Sequence, residues 1–391
     1  MSLFNKIKNY LNSNNKKIGS VNDTQDVFNE IYNILITYKN DIYPEVKKLK
    51  GHTHFLKVDT EEKILRLIEE NPECLKIQLN ESQKNIGMMA AENELDQVVL
   101  RCLDDEVASS QQDMGNLNIG MYAAMHLMED CVLKALDNPI ASIQQGGLLN
   151  KNIGMYAASE KLERATLKAL ENQQASLQQD NTGQNIGMFA AIYELKEATL
   201  KALDNTQASV QQDEDGCNIG LFAVRKEWED VVIKALDNEK ASVQQDRCGD
   251  NIGIFAAKQG LEDAAIKALD NKIASIQQDK AGSNIGMTCA RKCLERATLK
   301  ALDNYEASTQ QESWGWNIGM FSVTSGLESC ALKALENRDA REQVNVDDDN
   351  MIDLAVIHKL TNVVDAYDEI KARDNKDQKE FDDYQDFDLE D

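Results

Sequence analysis

The amino-acid sequence predicts a mainly α fold, a solenoid of helix-turn-helix repeats with short hairpin loops and a helical cap at each end. The first observation behind that prediction is the phrase Asn-Ile-Gly, which begins at Asn85, Asn118, Asn152, Asn185, Asn218, Asn251, Asn284 and Asn317, at intervals of 33 residues with a single 34. A fixed period in that range marks a stacked repeat array. The second is a Gln-Gln pair starting at Gln111, Gln144, Gln178, Gln211, Gln244, Gln277 and Gln310, seven residues before the next Asn, or eight before Asn152. The extra residue therefore falls within Gly146 to Lys151, a connecting loop where additions cost least. The third is composition: 42% apolar residues with only three prolines and 6% aromatics favour short helices over a large β fold.

In such an array the 391 residues count repeats rather than domains, because each repeat packs only on its neighbours. A formal charge of −25 repels phosphate backbones and anionic lipid heads, which argues against nucleic acid as a partner. No stretch approaches the roughly 18 apolar residues of a bilayer span, and the N-terminus lacks the apolar core of an export signal. Eight cysteines stand singly, with only four histidines to join them. Cys289 and Cys293 have ligand spacing, but no second pair or nearby histidine completes a site, so neither metal nor cofactor is expected. The thiols read as small buried hydrophobes of a reducing compartment, a cytoplasm or a host cytosol reached by delivery.

Taken in order, Met1 to Asn12 places Leu3, Phe4, Ile7, Tyr10 and Leu11 on one helical face beside Lys6 and Lys8. The pattern suits a capping helix over the first repeat; the alternative is contact with a membrane surface or a partner. A second helix is expected from Thr24, its N-cap, to Tyr38, with a break at Pro44 and Gly51. Residues 1–50 thus form an N-terminal helical cap. The array covers 51–360, with a degenerate first repeat over 51–84 whose second helix is Lys63 to Asn71, eight full repeats over 85–349, and a truncated one from 350. Residues 361–391 give a capping helix to about Ala372 and an acidic tail that charge and low apolar content predict to be disordered.

Within each full repeat, Asn caps a first helix that runs through Ala-Ala to a Leu such as Leu162 or Leu195. After a turn, a second helix closes in Lys-Ala-Leu-Asp-Asn, as at Lys201 to Asn205, its last Asn suited to a left-handed helix end. The following Ala-Ser-Val-Gln-Gln-Asp-x-x-Gly, as at Ala208 to Gly216, reads as a strand entering a tight turn whose glycine has positive φ. The glycine after Ile implies either a clash for any side chain or an irregular first turn.

Helix, turn, helix and projecting hairpin in 33 residues, with Asp-x-x-Gly-x-Asn-x-x-Met-x-Ala-Ala in place of Asp-x-x-Gly-x-Thr-Pro-Leu-His-x-Ala-Ala, resembles the ankyrin repeat over roughly Gly51 to Leu360. Asn185, Ile186, Gly187 and Met188 stand where that family has Thr, Pro, Leu and His. Its usual Gly-His before the Leu is reduced to one variable residue, glycine only at Gly260 and Gly326. The resemblance implies a protein-binding array whose concave face carries the residues after Ala-Ala.

Positions that recur are explained by stacking, so a partner must be chosen where the copies differ. After Ala-Ala these include Met125, His126 and Leu127, Ile192 and Tyr193, and the basic strip Arg225, Lys226, Lys258, Arg291 and Lys292. The apolar ones offer anchors and the basic ones steer an acidic partner. At the finger tips Leu148, Leu149, Trp314 and Trp316 break a polar pattern, and Trp314, beside the turn glycine, is a candidate anchor. Trp228, at the recurring Leu place, reads as core. No Gly-Lys-Ser/Thr loop, Gly-x-Ser-x-Gly turn or His-Glu-x-x-His helix occurs, so no catalytic residues are expected. The reading is a monomeric interaction scaffold that binds another protein and performs no catalysis, akin to host-directed microbial ankyrin proteins. The alternatives are a toxin or effector acting through residues 1–50, and homotypic structural assembly.

Overall fold

The computed structural model describes residues 23–42 and 53–387, so the expected helix over residues 1–12 and the break at Pro44 and Gly51 lie outside them. The chain forms two compact units, Met1–Ala208 and Ser209–Asp391. Among the described residues the regular elements are helices, and one isolated bridge joins Gly146 to Lys151 across the inserted residue.

In the N-terminal unit, helix Thr24–Thr37 is capped by Asp23, not by Thr24, and buries Val27, Phe28, Ile31, Ile34 and Leu35. In place of the worn helix pair expected from Gly51 there is one continuous helix, Thr53–Glu70, whose Ile64, Leu67 and Ile68 are fully buried. Both helices pack on the first full repeat, covering the apolar side that an array leaves open at its end.

The full repeats have three short helices, except the one at Asn185, which has two, and the one at Asn118, whose third is a single 3-10 turn, Ala141–Ile143. In the repeat at Asn152 they are Ile153–Ser159, Glu163–Ala169 and Gln173–Leu177; in the one at Asn251 they are Ile252–Gln259, Glu262–Ala268 and Lys272–Ile276. First helices pack on first helices and second on second within each unit. At three to eight residues they are too short to hold alone, so stacking stabilises them. Asn152 Oδ1 accepts from Met155 N at 2.9 Å, the expected cap, while its Nδ2 donates to Ala175 O and Gln178 Oε1, each at 2.9 Å.

That last bond explains Gln-Gln. The first glutamine joins the capping Asn to the preceding repeat, as where Gln277 Nε2 donates to Val243 O at 2.8 Å. The second joins its own turn to the following repeat, as where Gln145 Nε2 donates to Asn150 O at 2.8 Å and Gln179 O at 2.9 Å. Two amide ladders thus tie the stack.

Two expectations are corrected. The closing Asn does not end the second helix in a left-handed conformation: Asn172 has φ −81° and ψ 106°, and its side chain accepts from Gln174 N and Ala175 N as the N-cap of the third helix. Its Nδ2 reaches Ser142 Oγ of the previous repeat at 3.0 Å. Nor does Ala-Ser lead a strand; it lies in that third helix, or at Ala208-Ser209 in a turn, because alanine and serine must bury their small side chains against the neighbour. The tight turn is as expected, with φ near +80° at Gly183, Gly216, Gly249, Gly282 and Gly315. Successive tips share one main-chain bond, such as Lys280 N to Cys248 O at 3.0 Å.

The glycine after Ile is excluded from growing by packing. A Cβ on Gly154, in a regular helix, would lie 2.5 Å from Ile186 Cδ1 and 2.7 Å from Ala169 Cβ. The second helix has an apolar residue at its N-cap, leucine in most repeats, which cannot cap it, and a carboxylate from the previous repeat does so instead: Glu262 Oε1 accepts from Arg296 N at 2.9 Å and Ala297 N at 3.3 Å.

At the C-terminal end, helix Met351–Ile357 is closed by a reciprocal Asn350–Asp353 capping box. The last helix, Thr361–Phe387, covers Met351 and Leu354 with Val363, Val364, Tyr367 and Ile370. It continues past Ala372, where the sequence predicts disorder, and the buried Arg341 holds it through Asp374. Residues 388–391 lie outside the described residues. This end leaves apolar side chains in water: Val356, at a place buried in every full repeat, is 60% exposed, and Ile357 62%.

Candidate partner-binding face

The residues after Ala-Ala sit where the first helix ends and the chain turns into the second. The third residue of each triplet takes positive φ, +59° at Leu127, +69° at Glu194, +55° at Glu227 and +56° at Cys293, alongside +81° at Gly260. The place that favours glycine is therefore mostly filled by side chains pushed outward, at a cost of roughly 1 kcal/mol each.

In the N-terminal unit, Leu127 is 62% exposed, whereas Met125 packs half-buried against the core and His126 closes the helix with its amide on Tyr122 O. Ile192 is half-buried, and Tyr193 stacks on Phe189 with centroids 6.2 Å apart and planes 3° apart. Of the apolar residues expected as anchors after Ala-Ala, Leu127 is the one that is exposed.

In the C-terminal unit the basic strip falls into unequal parts. Lys258 Nζ lies 2.6 Å from Asp250 Oδ1 and 2.9 Å from Asp279 Oδ2, both carboxylates nearly buried. Burial works to lower the Lys258 pKa and the two carboxylates outweigh it, leaving the ammonium above its ordinary value. Burial likewise works to raise Asp279, but Lys258 and the amides of Ser283 and Ala281 hold its carboxyl below the usual range, while Asp250 is pushed up by burial. The charge of Lys258 is thus spent inside the protein.

Arg225 and Arg291 differ. Arg225 lies over the Phe222 ring at 5.0 Å and donates to Cys217 Sγ at 3.0 Å. Burial pushes that thiol up to about 11, against the pull of Arg225 and with Asp213, Asp246 and Asp215 adding to it, so it stays neutral and forms no ion pair with the guanidinium. Arg291 lies 5.1 Å over Phe321 and donates to Ser283 Oγ at 3.2 Å, again a neutral group. Lys292 beside it is exposed, and Lys226 is half-buried.

A rule the sequence reading missed runs through these contacts. The residue before the capping Asn meets the first residue after Ala-Ala, eight positions on. Lys84 pairs with Glu92 at 2.6 Å, Lys151 with Ser159 at 3.1 Å, Cys217 with Arg225, Asp250 with Lys258 and Ser283 with Arg291. The signal was present in the matched types of Lys84 and Glu92 or Asp250 and Lys258, and it means part of the variation after Ala-Ala answers to the turn of the same repeat.

At the tips, Trp314 is 64% exposed, its amide held by Glu312 Oε1 at 2.9 Å, and Leu148 is 99% exposed. Trp316 rests on Phe321 at 5.3 Å, within its own repeat and not on the next hairpin. Trp228 is half-buried at the N-cap of Glu229–Ala235, short of the core place expected for it. Six cysteines are buried, Cys289 among them, while Cys248 and Cys293 are exposed. Among the described residues no group of three His, Cys, Asp or Glu side chains is placed to hold a metal, and no helix is long and apolar enough to cross a membrane.

No family model matches the chain, and no curated protein matches it. Among solved structures, a crystal structure described as an ankyrin repeat protein is similar to 46% of this chain over 94% of its own length, with 16% identity and a TM-score of 0.40.

Proposed function

We propose that this chain is a protein-interaction scaffold that holds an acidic protein partner against the first-helix ends of the repeats in its C-terminal unit, with Trp314 as an apolar anchor there, Leu127 as a separate one in the N-terminal unit, and no chemistry of its own. The observation that carries the reading is the exposure of Arg225, Arg291 and Lys292 on one side of the C-terminal unit, matched by no carboxylate among the described residues, in a chain of net charge −25. Unmatched cations on an acidic protein attract negative groups locally while the overall field rejects non-specific polyanions. The recurring residues are consumed by stacking and leave the choice of partner to these positions. Two exposed thiols, Cys248 and Cys293, suit a reducing compartment.

Capture of partners by the full chain, repeated with Arg225→Glu, Arg291→Glu and Lys292→Glu together, tests the reading. The partner is expected to be lost while far-UV circular dichroism is unchanged; an unchanged set of captured proteins refutes it.

A further inference from the structure

Resting on that reading, we infer that the basic face of the C-terminal unit is bipartite and takes one protein segment carrying two acidic clusters separated by a neutral stretch. The strip is uniform in sequence but not in charge. Lys258, at its centre, is outnumbered by Asp250 and Asp279, two carboxylates against one ammonium, whereas Arg225 on one side and Arg291 on the other donate to neutral partners, a thiol and a hydroxyl, with Lys292 exposed beside Arg291. Between the two stations lie Gln259 and Gly260, without charge, and Phe255, half-buried.

Arg225, Lys258 and Arg291 end the first helices of three consecutive repeats, and those helices, Ile219–Arg225, Ile252–Gln259 and Ile285–Arg291, pack side by side. Packed helices stand about 8–10 Å apart, so two steps place the stations roughly 16–20 Å apart. An extended chain covers that span with about five or six residues at 3.3–3.6 Å each, and a helix with about eleven to thirteen at 1.5 Å each. Each station is anchored by a ring below it, Phe222 at 5.0 Å and Phe321 at 5.1 Å, which limits how far the guanidinium can drift toward the other. One acidic cluster meets one station; linking two makes the second contact intramolecular, so affinity depends on whether the linker spans the gap.

The test uses the full chain and fluorescein-labelled peptides with two Glu-Glu-Glu clusters joined by Gly-Ser linkers of two, four, six, eight and twelve residues, read by fluorescence anisotropy. Affinity is expected to rise about ten-fold or more between the two- and six-residue linkers and to decline slowly beyond. Arg225→Gln should abolish that dependence, leaving the affinity of a single cluster. The neutral triple variant Asp250→Asn, Lys258→Gln, Asp279→Asn removes one net negative charge, keeps hydrogen-bonding groups in place, as Asn345 does at the equivalent turn, and is expected to weaken binding by less than two-fold, if at all. Affinity indifferent to linker length, or a loss in the neutral triple equal to that of Arg225→Gln, overturns the bipartite arrangement and leaves a simple basic strip. Equal binding of heparin, or binding of no acidic peptide by a chain whose circular dichroism is intact, overturns the acidic-partner reading itself.

Discussion

One hydroxyl separates two otherwise equivalent sites in the N-terminal unit, and exchanging it between them measures the energetics of the turn. Tyr122 donates its phenol to Asp113 Oδ2 at 2.7 Å, with Lys84 Nζ 5.0 Å over the ring. Two repeats on, Phe189 stands in the place of Tyr122, Asp180 in that of Asp113 and Lys151 in that of Lys84, its Nζ 4.4 Å over the Phe189 ring. Asp180 Oδ1 accepts from Thr182 N and Gln184 N at 2.9 Å each, as Asp113 Oδ1 does from Gly115 N and Leu117 N at 2.8 Å. Asp180 Oδ2 is buried without a hydrogen-bond partner.

Phe189→Tyr therefore supplies the missing donor. A hydrogen bond to a charged acceptor contributes about 1.5–3 kcal/mol, and an added atom in a packed interior costs about 1 kcal/mol, so the net gain is roughly 1 kcal/mol. Tyr122→Phe removes the donor and reproduces the natural state of Asp180 at Asp113, a loss of about 2 kcal/mol. Because repeats open locally, native-state hydrogen exchange is a sharper assay than global melting. Exchange at Thr182 and Gln184 should slow roughly five-fold in Phe189→Tyr, and exchange at Gly115 and Leu117 should quicken roughly thirty-fold in Tyr122→Phe. If Phe189→Tyr speeds exchange, or if both substitutions leave it unchanged, the orphan oxygen is stabilised some other way and the equivalence of the two sites is refuted.

Two further predictions concern the joints between repeats. Gly154→Ala gains up to about 1 kcal/mol of helix propensity but drives its Cβ into Ile186 and Ala169, and overpacking of this kind costs about 1–3 kcal/mol. A net loss of stability in urea unfolding, partly recovered in the double variant with Ile186→Val, is expected, and a stabilised Gly154→Ala would count against the packing account. Glu262→Ala removes the cap that one repeat lends the next and should cost about 1 kcal/mol, seen as faster exchange at Arg296 and Ala297, whereas Glu262→Gln keeps an accepting oxygen and should lose less than half as much.

The period, the capping asparagines and the turn glycines were legible because each depends on residues within a few positions. A first-turn N–H needs an acceptor three residues away, and Asn152 provides it whatever surrounds the helix. The closing asparagine was misread because asparagine suits both a left-handed helix end and an N-cap; what decides between them is the small Ala175-Ser176 pair that must be buried next to the previous repeat. The Gln-Gln pair was visible as a pattern but not as a ladder, since its partners lie a full repeat away, as Gln277 does from Val243. The single helix Thr53–Glu70 escaped notice for the opposite reason: counting back by the period imposed a repeat on a segment whose task is to cover one.

The candidate site was legible in identity and not in charge. Sequence comparison among the repeats treats Arg225, Lys258 and Arg291 as equivalent cations, yet what each offers a partner depends on the residue eight positions before it. Asp250 cancels Lys258, while Cys217 and Ser283 hydrogen-bond the two arginines and leave their charge intact. A carboxylate that accepts from a cation removes its long-range field; a neutral acceptor fixes its geometry and removes almost none. Variation before the capping Asn therefore helps select which cations face outward: exchanging Asp250 with Cys217 would set a carboxylate against Arg225 while Asp279 still pairs with Lys258, and so would extend the gap in the basic face by one repeat.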